Sequence, residues 1–159
     1  MIPDRVAEVL EGPAFLKVGV RDASLRPAQV VAVGAQVHDD RQTVTVFVPA
    51  ARVERILPQL VENGRIAVAA GMASHEAYQV KGTYLSSRPT GDADQARLVT
   101  RRASLLAALL EAGYPEAIAR PLTQGFAWTP SMAITFRVQE VFQQTPGPGA
   151  GIRLVPSGG

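Results

Sequence analysis

Residues 43–71 read TVTVFVPAARVERILPQLVENGRIAVAAG, and the spacing of their apolar residues changes twice. In the first run Val44, Val46 and Val48 fall on one face and Thr43, Thr45 and Phe47 on the other, the period of a strand. Between Pro49 and Gly64 the period lengthens. Val53, Ile56, Leu57, Leu60 and Val61 lie at i, i+3, i+4, i+7 and i+8, so the spacing predicts a helix packed by one stripe, and Asn63-Gly64 supplies the left-handed exit that a helix end needs. Pro58 removes a backbone donor in the middle of that helix and predicts a kink or a break into two short pieces. Alternation returns over Arg65–Gly71, with Ile66, Val68 and Ala70 sharing a face.

The neighbouring segments extend this strand-rich pattern. Upstream, PDRVAEVLEG (3–12) spaces Val6, Val9 and Leu10 as a short amphipathic helix, a lid or brace, between Pro3 and Gly12. Alternation over Ala14–Val20 predicts a strand, and Gln29–Val37 predicts another that forms an antiparallel hairpin with 43–48 across the turn HDDRQ. Downstream, the loop GMASHEA joins the strand 65–71 to a strand over Tyr78–Ser87. DADQARLVTRRASLLAALLEAG (92–113) is the longest helical pattern, with a wide stripe made of Leu98/Val99, Leu105/Leu106 and Leu109/Leu110. A last strand places Met132, Ile134, Phe136 and Val138 on one face. Residues 1–144 read as one domain and 145–159, TPGPGAGIRLVPSGG, as a flexible tail rich in proline and glycine. Six strands with helices in their connections, and no strict strand–helix alternation, predict a mainly β fold with helical insertions, a six-stranded antiparallel barrel.

Composition narrows the function classes. A chain of 159 residues with 47% hydrophobic content buries one core. There is no cysteine, which excludes a disulfide framework, a thiolate nucleophile and a cysteine-based zinc site, and leaves redox chemistry to a borrowed cofactor. A net charge of +2 is too small for a nucleic-acid surface, and no uninterrupted apolar run spans a membrane, so the chain reads as soluble and cytoplasmic. All but Lys17 and Lys81 of its 16 basic residues are arginine.

The chemistry-bearing residues are few. His38 in a turn and His75 in a loop share no ligand spacing, so no metal site is predicted. Ser74-His75-Glu76 are consecutive and cannot form a nucleophile–base–orienter chain without distant partners. Neither a phosphate-binding glycine loop nor a dinucleotide fingerprint is present, and no catalytic residue is assigned. More informative are Gln79, Lys81 and Thr83, which put a polar face on a strand of an otherwise apolar sheet. Gly82 inside that strand calls for a bulge, or for the close approach of a ligand or another backbone.

The order TVTVFVP, a helix ending LVENGRIAV, and a strand reading YQVKG resembles the pyridoxamine 5′-phosphate oxidase-like, FMN-binding split-barrel superfamily, over roughly residues 26 to 88. The resemblance implies a split barrel and a homodimer with FMN at the subunit interface. Phe47, Val48 and Pro49 match the strand end that lines the flavin, Arg52 or Arg55 the arginine of the phosphate clamp, and Gln79, with Lys81 beside it, the strand that approaches the cofactor. Three features separate the chain from the vitamin oxidase itself. No lysine follows Arg52 or Arg55; the family's Arg-x-Val-Leu-Leu-Lys strand stands here as Gln29-Val30-Val31-Ala32-Val33-Gly34; and the tail lacks the arginine–histidine pair that grips the vitamin. The function this implies is an FMN-dependent oxidoreductase passing electrons between a reduced nicotinamide and a small-molecule substrate. A non-catalytic binding or sensing module, holding no flavin or holding a deazaflavin or haem, is the alternative. His75 is then a rim residue.

Overall fold

A computed structural model describes residues 1–125 and 128–155. Helix α1 (Asp4–Glu11) precedes β1 (Phe15–Arg21), β2 (Pro27–Ala32), β3 (Gly34–Val37) and β4 (Thr43–Pro49). Two short helices follow, α2 (Ala50–Val53) and α3 (Leu57–Asn63), then the hairpin β5 (Arg65–Gly71) and β6 (Ala77–Pro89). The chain continues through α4 (Asp92–Glu111), α5 (Glu116–Gln124), β7 (Ser131–Gln143) and β8 (Arg153–Val155).

Every strand pairing is antiparallel, in the order β2-β1-β5-β6-β7-β4-β3, with β8 added to β7. The two ends of this order are consecutive in the chain. β2 runs into β3 through Val33, whose amide donates to the Phe47 carbonyl at 2.7 Å, so one bent segment closes the sheet by serving both margins. Counted as one bent strand, β2 and β3 make the ring the six-stranded split barrel that the sequence predicts. The bend also corrects a detail. Only Gly34–Val37 pairs with β4, whereas 27–32 turns away to pair with β1. Gly34 permits that turn beneath α4, because a Cβ there would lie 2.8 Å from Leu98 Cδ2 and 3.3 Å from Phe47 Cδ2.

Alternation along each strand fills the barrel with aliphatic side chains, among them Leu16, Val18, Val46, Val68, Val80 and Ile134. α1 braces this core with Ile2, Val6, Val9 and Leu10. A second cluster lies outside the barrel wall, where Leu98, Leu105 and Leu109 of α4 and Ala119 of α5 pack on Val33, Phe47, Ala133 and Trp128. The sequence pattern predicts no helix at 116–124, so α5 is an addition.

Two predicted stripes are narrower than expected. The helix 50–63 is interrupted at 54–56, ahead of Pro58, which sits in the first turn of α3 where its missing N–H costs nothing. The break resets the helical phase: Val53, Ile56 and Leu60 stay buried, and Val61 is 71% exposed. Gly64 ends α3 at φ 68°, the left-handed exit anticipated. On α4 the inward row is Leu98, Arg101, Leu105 and Leu109, while Val99 and Leu110 face outward. A helix lying on one sheet face buries a single row, and here an arginine is part of it.

Candidate functional site

Beyond Phe15 and Ala133, which pack with the cluster under α4 and α5, the outer sides of β1, β5, β6 and β7 are left uncovered by those two helices. Register places Gly19, Ala67 and Lys81 in one row across β1, β5 and β6, and Lys17, Ala69 and Gln79 in the next. Small side chains on β1 and β5 leave a shallow floor between longer polar ones. An open cleft of about 400 Å³ lies on this face, with Arg21, Arg65, Lys81, Gln139 and Glu140 around Gly19, Ala67 and Gly82.

Gly82 has a backbone explanation. β6 and β7 slip register between Lys81↔Glu140 and Gly82↔Val138, and a Cβ at Gly82 would stand 2.0 Å from the Arg137 carbonyl oxygen. The bulge puts Gln139 on the cleft rim. Lys81 Nζ lies 4.6 Å from the centroid of the Phe142 ring, which steers its ammonium along the sheet face. Gln79 shares that face of β6 and is half-buried.

The other residues matched to the flavin site stand elsewhere. Phe47 is fully buried beneath α4 and Val48 fully buried in the barrel, with Pro49 buried beside Ser131, so any contact they offer a ligand runs through backbone. Arg52 on α2 and Arg55 just after it are exposed, and their side chains have no hydrogen bond or ion pair among the described residues. Pro49 pairs with Ser131 at the start of β7 and Lys81 with Glu140 near its end. Nine residues of strand separate those positions, roughly 30 Å at ~3.3 Å per residue. One copy of the chain therefore brings Gln79 and Lys81 together, and Arg52 and Arg55 together, but does not join the two pairs.

The histidines are bystanders to this face. His75 is an exposed loop residue at φ 68°, and His38 Nε2 sits 2.9 Å from Thr45 Oγ1. Glu76 is engaged by Arg5 at 2.5 and 2.9 Å and by the Tyr78 hydroxyl at 2.9 Å. The Arg5 contact, more than the hydroxyl, holds its carboxyl below the usual range, and so commits the acid nearest His75. Among the described residues no group of three or more potential ligands could hold a metal ion, and no helix is long and apolar enough to cross a membrane.

Arg101 was not singled out by sequence pattern. Its guanidinium is buried and donates to the carbonyls of Val33 at 3.0 Å, Ala14 at 2.5 Å and Glu11 at 3.4 Å, tying α4 to the bend of the barrel and to the end of α1. Burial lowers its pKa to about 10, because carbonyl dipoles replace water without a neutralising carboxylate. Its place between Leu98 and Leu105 in the helical phase is the signal that could have revealed it.

The closed ring of antiparallel strands, with helices on one side of the wall, is the split-barrel fold of pyridoxamine 5′-phosphate oxidase-like proteins. Individual solved structures repeat it at low identity. HupZ of Group A Streptococcus matches over 95% of this chain and 100% of its own, with 18% identity and a TM-score of 0.55. An F420 reductase matches over 88% of this chain and 98% of its own, with 14% identity and a TM-score of 0.58. No family model and no curated protein matches the sequence.

Proposed function

We propose that this chain is a cofactor-binding oxidoreductase that holds FMN between two copies of the barrel and passes electrons between a reduced nicotinamide and a small acceptor. The observation that carries the reading is the open face of β5. In a sheet whose other wall is sealed by α4 and α5, Gly19, Ala67 and Ala69 form a shallow floor beside Gln79 and Lys81. A planar ring fits such a floor, and the amide and ammonium provide polar partners at its edge. An F420 reductase shares the fold over nearly its whole length, which supports a redox cofactor, and the flavin titration below decides whether it is FMN.

The chain's own contribution is binding and orientation, while bound FMN supplies the redox chemistry. Arg52 and Arg55 provide the charge for its phosphate. Because they stand far along β7 from Gln79 and Lys81, the site combines α2 of one copy with β6 of its partner, and requires the homodimer. The non-catalytic alternative is favoured by one observation, the lack of a second cation adjacent to either arginine in sequence.

Titrating the full chain with FMN and with riboflavin separates these readings. The expected result is saturable quenching of flavin fluorescence, with Arg52→Ala or Arg55→Ala weakening FMN by roughly ten- to a hundredfold and leaving riboflavin almost unchanged. A chain that takes up no FMN, or loses FMN and riboflavin equally in both variants, overturns the assignment. A solution mass of 16.9 kDa at every concentration would remove the shared site.

A further inference from the structure

Arg21 ends β1 and Arg65 begins β5, on the same outer face and two residues beyond the paired Gly19↔Ala67. The β1–β5 ladder ends at that pair, and both arginines line the same cleft just beyond it, with Thr83 and Arg137 continuing the row from Arg65 across β6 and β7. Like charges in neighbouring cross-strand positions destabilise a sheet unless something between them is negative.

The nearby carboxylates do not provide it. Asp22 accepts from Arg26 Nε at 2.8 Å and from the Arg26 amide at 2.9 Å. Glu62 accepts the Ala23 amide at 3.3 Å. Glu140 lines the same cleft and is ion-paired with Arg153. Arg137 donates to the Gln42 side chain at 2.6 Å. Arg21 reaches only the Asp22 carbonyl, at 3.5 Å, and the Arg65 side chain makes no hydrogen bond or ion pair among the described residues. Lys81, one row further on, rests on an aromatic ring rather than on an acid. Arg21, Arg65 and Lys81 thus line the cleft without a carboxylate partner.

We infer that this end of the cleft is an anion site for the phosphate or pyrophosphate group of a small molecule, distinct from the arginines of α2. Two guanidinium forks at one end of the cleft present donors in the geometry that phosphate oxygens accept, and Lys81 adds a third charge across the floor. The bound anion would also relieve the repulsion between the two arginines. The inference stands without the flavin: it needs only the cleft and its charges, and a chain that ignores FMN could still bind phosphate here.

The test is calorimetric titration of the full chain with inorganic pyrophosphate at low salt, followed by Arg21→Ala, Arg65→Ala and, as a control outside the cleft, Arg97→Ala on α4. Pyrophosphate is expected to bind the parent more weakly as salt rises, and each of the first two variants should weaken it about tenfold or more. The Arg97 variant should bind it as the parent does. Thermal unfolding without ligand serves as the folding control, since removing either member of a like-charged pair should leave the melting temperature unchanged or raise it. Undetectable binding to the parent at millimolar pyrophosphate, binding indifferent to Arg21 and Arg65, or equal loss in all three variants would each overturn the site.

Discussion

β4 and β5 are both seven-residue strands of one sheet, yet they meet the rest of the chain in opposite ways. β4, TVTVFVP, is buried from Val44 to Pro49 on both faces, because Val44, Val46 and Val48 enter the barrel while Phe47 enters the cluster under α4. β5, RIAVAAG, buries only Ile66, Val68 and Ala70. Its outward residues after Arg65 are Ala67, Ala69 and Gly71, too small to cover the sheet themselves, and neither α4 nor α5 lies over them. One wall of the barrel is thus completed by the chain's own helices, and the other is left low, flat and bordered by cations. On the proposed reading the second wall binds the ligand, and the first contributes stability.

The largest break in this contrast should come from Phe47→Ala, which removes a fully buried ring shared by β4 and α4. A loss of about 3–5 kcal/mol is expected in denaturant unfolding, whereas Ala69→Ser on β5 should stay within about 0.5 kcal/mol. Next comes Arg101→Met, which keeps the apolar stem but leaves the Val33, Ala14 and Glu11 carbonyls without their guanidinium donor. The expected cost is about 1–3 kcal/mol by the same measurement, with the sealed wall loosened at the bend.

Of the three changes on the sealed wall, Asp94→Asn should have the smallest effect. The Asp94 carboxylate accepts from Arg88 at 2.6 and 3.2 Å and from the Gly91 amide at 2.9 Å, closing the first turn of α4. Arg88 above all, and the Gly91 amide after it, hold its pKa below the usual carboxylate range. The stability this gives is fully present above the unfolded-state value of about 4 and is lost as the pH falls through the lower folded-state value. At neutral pH the variant should lose on the order of 1 kcal/mol. That deficit should shrink as the pH falls below about 4, which unfolding curves at several pH values will show.

Much of this contrast was legible in the sequence, and the exceptions have physical causes. Alternation located the strands because each has one face inside the barrel, and the turn residues Asn63-Gly64 marked the end of α3. The bend at Val33 was not legible: the apolar run Val30-Val31-Ala32-Val33 continues into Gly34-Ala35 with no turn residue pattern to mark it, and the change of partner goes with the close approach of α4 to Gly34, some sixty residues away in the chain. For the same reason the apolar stripes on α3 and α4 are wider than the rows they bury, since periodicity counts apolar residues and not how many a flat sheet can cover. The polar face of Gln79 and Lys81 was visible as a pattern. The meeting of Arg21 and Arg65 at one cleft was not, because it depends on the register of β1 against β5, which are distant in the chain.

The most direct test of a sealed β4 wall and a ligand-binding β5 wall is methyl NMR of the alanine-labelled chain during FMN titration. Saturable shifts in the Ala67 and Ala69 methyls, with Ala133 beneath α4 unmoved, are the predicted result. Shifts that begin at Ala133 and spare Ala67 and Ala69, or no saturable shift at any alanine, would contradict it.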